Sequence, residues 1–206
     1  MKKQKIKITN LDELLNLFSI PLRNHSRRVA VCSSIIIEQA DDIFHSCDLP
    51  YTTNPASLAY FGGICHDVGK LLLPTLAANG SDQKQHPVLG AELLETYRKV
   101  LFDNETQADI VIDIVRHHHE QPNGGGFPDG TQCRGISLNI GICAVANTLD
   151  HFLYNTGKVS KKDYSDVLKN FESQTGKAYC ESAVEYLTRA WPRLVEKYQE
   201  WNRNVI

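Results

Sequence analysis

The 206-residue chain has no apolar run approaching the roughly 18 residues that a membrane span requires. Its N-terminus, MKKQKIKITN, is basic but lacks the apolar stretch of a signal peptide. An excess of charge is missing too, since 22 Lys and Arg against 24 Asp and Glu leave a formal charge of −2. That near-balance argues against a general binder of extended nucleic acid or of membrane surfaces. A small anionic ligand stays open, because a metal site supplies its own local positive charge. The six cysteines (Cys32, Cys47, Cys65, Cys133, Cys143, Cys180) form no C-x-x-C pair, and several fall within apolar runs. They read as small buried hydrophobes of a reduced, cytoplasmic protein. β-type alternation beyond a few residues, internal repeats and low-complexity tracts are absent as well.

What is present reads as helix. Hydrophobic residues make up 42% of the chain, enough to close one core without disulfides. Asn10 with Glu13 predicts a capping pair opening a short helix over Leu11 to Phe18. Pro21 suits the first turn of a longer helix reaching about Phe44, with Leu22, His25, Val29, Cys32, Ile36 and Ile43 on one stripe. Asn54-Pro55 starts another helix, leading to His66-Asp67. Pro74 and residues 78–81 mark a loop. Pro87 opens a helix to Tyr97, and a further one spans about Thr106 to Glu120. Gln121 to Arg134 is loop by its glycines and prolines. Ser137 caps a helix to Tyr154, and Ser160 with Asp163 resembles a second capping box. Ala178 to Trp201 is expected as one or two helices, with Pro192 breaking or kinking the chain at Trp191. The expectation is an all-α, single-domain helical bundle over 1–206, with a motif core at about 21–155 and C-terminal helices at about 160–203.

Five of the eight histidines, His25, His66, His86, His118 and His119, fall at expected helix ends or on inward faces. Any one alone has an ordinary explanation as a hydrogen-bonded core residue. Together with Asp67 they are costly to bury unless a cation neutralises the carboxylate and fixes the ring tautomers. Asp67 has two oxygens and is able to bridge two ions, which a neutral imidazole cannot do. Lys70, about one helical turn past His66, would add positive charge there.

Five ordered motifs then carry a resemblance. They are His25-Ser26-x-Arg28-Val29-Ala30, His66-Asp67-Val68-Gly69-Lys70, His86-Pro87-x-x-Gly90, and His118-His119-Glu120 followed by Asn123-Gly124-Gly125-Gly126-Phe127-Pro128. The fifth is Val145-Ala146-Asn147-x-x-Asp150. In these the chain resembles the HD superfamily of metal-dependent phosphohydrolases, and within it the HD-GYP branch. The resemblance implies a helical bundle around two divalent transition-metal ions (iron, manganese, nickel or zinc) and hydrolysis of cyclic di-GMP. Carried over by position, His25, His66 and Asp67 hold one ion. Asp67 bridges to a second, held by His86, His118 and His119. Asp67 and Lys70 are the catalytic candidates. Gly124, Gly125 and Gly126 are the substrate-binding candidates, through close backbone approach and free N–H groups.

The departures from the pattern shape the expectation. Asn147 stands where the family has an aspartate; its amide oxygen is the seventh candidate ligand but brings no negative charge, so the first ion is expected to be held more weakly. Pro21 stands where three-metal members carry a glutamate, which argues against a third ion. The loop keeps its glycines but loses a carboxylate and a phenol at Asn123 and Phe127. The family's Arg-Pro-Tyr-Arg stretch is not recognisable near Asn155 to Val159, and the loop from Lys70 to His86 looks short. The leading expectation is a binuclear phosphodiesterase for a cyclic dinucleotide, with a small-molecule nucleotide as its partner. A weakly active or inactive nucleotide-binding or regulatory module, and a mononucleotide phosphohydrolase, are the alternatives. Oligomeric state is left open, a homodimer being one option.

Overall fold

The computed structural model describes residues 8–40, 54–73, 83–155, 158–159 and 164–203. Asn10 opens α1 (Leu11–Asn16), its side-chain oxygen accepting from the Glu13 N–H at 2.9 Å. The reciprocal half of the expected capping pair is displaced by one residue, for the Glu13 carboxylate accepts from the Thr9 N–H at 2.7 Å. Ser19 caps α2 (Ile20–Ile37), with Pro21 in its first turn. The helix does not extend towards Phe44. Gln39 and Ala40 donate to Ile36 and Ile37, three residues back, so the last turn tightens and stops.

Asn54 accepts from the Ala56 N–H at 2.9 Å and starts α3 (Pro55–Cys65). A 3-10 turn follows at Val68–Leu72. Next come α4 (His86–Thr96), α5 (Arg98–Leu101), α6 (Glu105–His117) and α7 (Leu138–Leu153). α6 ends at His117, short of the expected Glu120, because Glu120 turns away to serve the loop that follows. β1 (Tyr154–Asn155) and β2 (Lys158–Val159) make a two-residue antiparallel pair. The chain closes with α8 (Tyr164–Ser173) and α9 (Glu181–Arg203). α9 runs unbroken through Pro192. Pro192 and Thr188 both lie on the exposed side, so the carbonyl that loses its N–H partner is left to water. The expected turn at 74–81, the Ser160–Asp163 cap and Ile43 lie outside the described residues. The fold is all-α, as the periodicity predicts.

α2 is the central element. Its Val29, Cys32 and Ile36 pack with Ile142 and Leu149 of α7, Phe171 of α8, and Leu187 and Leu194 of α9. Its Ala30 faces a second cluster, with Leu14 of α1, Ile64 of α3, Leu94 of α4, and Val111 and Val115 of α6. Each fully buried Ile or Leu contributes about 1.5–3 kcal/mol relative to exposure.

Two glycines set how closely the helices approach. A Cβ on Gly63 would stand 2.6 Å from the Ala30 Cα, so α2 and α3 cross with their backbones in contact. That crossing brings His25, upstream on α2, towards His66 at the end of α3. A Cβ on Gly69 would stand 1.9 Å from the His86 carbonyl oxygen. The 3-10 turn therefore lies directly against the start of α4, which places Asp67 beside His86.

Candidate metal centre

His66 and Asp67 sit in the turn between α3 and the 3-10 segment rather than on a helix wall. His66 is the C-cap of α3, and Asp67 has φ −101° and ψ 10°. Leaving the helix solves the problem that adjacent helical side chains point about 100° apart. Both now face one cavity. In the 3-10 turn residues three apart eclipse, and Lys70 Nζ accordingly lies 2.5 Å from Asp67 Oδ2.

Two groups of ligating atoms result, His25–His66–Asp67 and His86–His118–His119, each with its members within 4.8 Å of one another. Asp67 lies between them. Its Oδ2 is 3.6 Å from His25 Nε2 and 3.3 Å from His66 Nε2, while its Oδ1 is 3.2 Å from His86 Nε2. The structure thus brings together six of the seven side chains that the sequence singles out for the metal shell, while Asn147 is buried on α7.

The tautomers follow from the outward contacts. His66 Nδ1 lies 2.7 Å from the Gly63 carbonyl, His86 Nδ1 2.6 Å from that of Gln83, and His118 Nδ1 2.9 Å from that of Val115. A carbonyl oxygen only accepts, so in each ring Nδ1 carries the proton and donates, and Nε2 turns a lone pair inward. His25 does the same against the Asp150 carboxylate, at 2.7 Å. The inward atoms then face each other as lone pairs, His25 Nε2 to His66 Nε2 and His86 Nε2 to His118 Nε2, both at 3.2 Å. With the rings neutral, neither nitrogen of a pair has a proton to donate. Asp67 Oδ1 and Asn147 Oδ1 are buried without a hydrogen-bond partner. Converging lone pairs and orphaned oxygens suit a cation, and the residues present fit divalent metal ions.

The charge states agree with that reading. Burial and neighbouring histidines push His118 well below the usual imidazole range, and burial, with His86 close by, brings His119 to about 3. Burial also lowers His66. For Asp67 burial opposes ionisation, but His66, His86 and Lys70 outweigh it and hold the carboxyl well below its usual range. His66, His118 and His119 are thereby kept neutral, the state in which imidazole ligates.

The glycine loop departs from expectation. The Gly124 N–H donates to the Gln121 carbonyl at 2.8 Å, and the Gly125 N–H to the Asn123 side chain at 2.8 Å. Gly126 packs against the backbone of His119 to Gln121, leaving no room for a Cβ. Gly124 and Gly125 have spent their N–H groups closing the turn, so neither is a free donor. The loop instead supports His119, whose ring stacks on Phe127 at 4.6 Å. Beside Phe127 a cavity of about 400 Å3 opens, walled by Lys84, Gln85, Val88, Leu89 and Pro128. A larger cavity of about 780 Å3, between α2, α3 and α9, is lined by none of the histidines.

Sequence reasoning missed the supports. Glu120, 2% exposed, accepts from the N–H groups of Asp129, Gly130 and Thr131 at 2.7, 3.1 and 2.8 Å and ties the loop to the end of α6. Asp150 and Arg28 stood within the quoted motifs without a role. Arg28 donates to Asp150 through Nε at 2.6 Å and Nη2 at 2.9 Å. Their spacing, each three residues past a shell candidate, was the available signal. Tyr198, which also donates to Asp150, had none.

The family model for the HD domain matches residues 22–151, and the chain belongs to that family. A cyclic di-GMP phosphodiesterase of Thermotoga maritima is 24% identical over 202 residues, covering 91% of this chain and 50% of that protein. A cyclic di-GMP phosphodiesterase of Pseudomonas aeruginosa is 30% identical over 132 residues, or 59% of this chain and 28% of that protein. The HD domain of the L. monocytogenes phosphodiesterase PgpH, solved in complex with cyclic di-AMP, superposes with a TM-score of 0.61 at 13% identity, over 89% of this chain and 95% of that one. This chain therefore spans half or less of these two curated relatives, and the solved structure speaks for the fold. Among the described residues no helix is long and apolar enough to cross a membrane.

Proposed function

We propose that the chain is a metal-dependent phosphodiesterase that hydrolyses a cyclic dinucleotide, cyclic di-GMP first among them. The observation that carries this reading is the ring of Nε2 lone pairs around Asp67, with every outward Nδ1 of His25, His66, His86 and His118 already donating. His25, His66 and Asp67 would hold one ion, with Asn147 adding a neutral oxygen. His86, His118, His119 and Asp67 would hold a second, and the mixed imidazole and carboxylate set suits iron, manganese, nickel or zinc. Two such ions supply Lewis acidity and a nucleophile from water at neutral pH.

The chain's own residues do the rest. Asp67 holds both half-sites in register through its two oxygens. Lys70, paired with Asp67 yet 29% exposed along its side chain, sets positive charge at the mouth of the site, where a phosphodiester must enter. Gly124, Gly125 and Gly126 act on the substrate side by shaping the loop that carries Phe127. The apolar space beside Phe127 has the character of a nucleobase pocket, with Lys84 Nζ 5.4 Å from that ring. The two curated relatives, each named a cyclic di-GMP phosphodiesterase, favour this substrate over a mononucleotide.

The test is to load the purified chain with manganese or iron, count ions, and incubate it with cyclic di-GMP, cyclic di-AMP and a mononucleotide. Two ions per chain and a linear dinucleotide or mononucleotide product from cyclic di-GMP are expected. Two bound ions with no turnover of any phosphodiester would sink the enzymatic reading and leave a nucleotide-binding module.

A further inference from the structure

The Asp150 carboxylate, 1% exposed, joins the candidate first ion site to the C-terminal helix. Its Oδ2 accepts from His25 Nδ1 at 2.7 Å and from Arg28 Nη2 at 2.9 Å. Its Oδ1 accepts from Arg28 Nε at 2.6 Å and from the Tyr198 hydroxyl at 3.0 Å. Tyr198 is fully buried on α9, with its oxygen 3.7 Å from the Cys32 thiol. Burial and the nearby Cys32 and Asp150 push that hydroxyl well above its usual value, so it stays a donor.

We propose that Tyr198 is a positioning residue for the first ion site, so that ion binding by His25, His66 and Asp67 is linked to the docking of the last turns of α9. The inference rests on the reading that those three residues hold an ion. A ligating histidine needs its second nitrogen fixed, because that partner sets the tautomer, the ring angle and the basicity of the ligating nitrogen. Here the partner is Asp150, and α2 and α9 together hold it by three further hydrogen bonds. Asn147 gives this site no charge, so its negative charge comes from Asp67 directly and from Asp150 through His25. That makes Asp150's orientation count for more. The surface pairs of α9, such as Arg193 with Glu38, are exposed and add little. Buried contacts through Leu194 and Tyr198 are what seat the end of the helix on α2 and α7. Coupling of this kind is reciprocal, so the ion tightens α9 as much as α9 favours the ion.

The experiment uses the full chain and Tyr198→Phe, which keeps the ring and its packing while removing the donor. Ion affinity is read by competition of manganese with a fluorescent chelator, and α9 by hydrogen exchange with and without manganese. One of the two sites should weaken about 3–10-fold, below the tenfold or more typical when a ligand's direct partner is lost. Manganese should slow exchange over residues 194–203 in the native chain, and less so in the variant. In a His25→Ala background the second substitution should have no further effect on ion affinity. Asp150→Asn, which removes the charge itself, should weaken the same site more. Unchanged affinity in Tyr198→Phe with two ions bound overturns the proposal, as does equal weakening of both sites with a less stable metal-free protein, which marks a structural role. A native chain that binds no ion at the first site instead overturns the metal reading, and this inference falls with it.

Discussion

His25 Nε2 and His66 Nε2 face each other at 3.2 Å, although each ring has already committed its other nitrogen as a donor, to Asp150 and to the Gly63 carbonyl. Two lone pairs at that distance repel, and the same conflict recurs between His86 and His118. A helix crossing set by Gly63 holds the first pair of rings there. A cation between the nitrogens turns repulsion into ligation.

Adding manganese should therefore raise the Tm, by the equivalent of about 2.7 kcal/mol at a hundredfold excess over Kd. His25→Ala should lose one ion and His86→Ala the other. Asp67→Asn should weaken both, since its two oxygens serve the two groups separately. Metal analysis of the three variants checks this. Loss of both ions in His25→Ala alone would contradict two half-sites sharing one carboxylate.

The contact between the 3-10 turn and α4 makes a sharp contrast between two glycines. A Cβ at Gly69 would meet the His86 carbonyl at 1.9 Å and the Gly90 nitrogen at 2.6 Å, both backbone atoms that cannot turn aside. Gly69→Ala should cost about 3 kcal/mol or more, at the upper end for overpacking, and displace His86. Gly176 has φ +73° and open space around it, so Gly176→Ala should cost only about 1 kcal/mol from backbone strain. Urea denaturation orders the two, and ion loss should accompany only the first.

Glu120 ties the loop to the end of α6, for its carboxylate fills the nest of N–H groups from Asp129 to Thr131. Glu120→Gln keeps the shape but weakens charge-assisted bonds. It should destabilise the chain by about 1–3 kcal/mol. Exchange at the amides of 129–131 should quicken while α2 and α7 keep their protection. Equal loosening of the whole fold would show that the carboxylate supports more than its loop.

The shell was legible because its chemistry is stated by residue type. Imidazoles and a carboxylate at helix ends have few inexpensive uses in a core, and six of the seven candidates lie together in two groups. Helix starts were legible for a similar reason, as Asn54, Ser137 and Pro21 act locally. Helix ends were less so. His66-Asp67 leaves the helix because Gly69 must reach α4, and α6 stops at His117 because Glu120 must reach across the loop. Both causes lie far along the chain or in another element, where a local pattern carries no trace. Tyr198 was illegible for that same reason: it sits 48 residues beyond Asp150 on a face that periodicity assigns simply to the core.

Asn147 gives the test with opposite signs. Its Oδ1 is buried without a hydrogen-bond partner, on α7 one turn before Asp150. Asn147→Asp changes almost no volume but adds a buried negative charge one turn before Asp150. Without metal that charge is uncompensated, and the variant should be less stable than the native chain, by about 3 kcal/mol if no water reaches it. With ions present the same charge becomes a ligand, and the first site should bind manganese at least tenfold more tightly. Thermal melts with and without manganese, together with chelator competition, read both arms. A variant that is destabilised equally in the two conditions would place Asn147 outside the ion's reach, and the first site would then rest on His25, His66 and Asp67 alone.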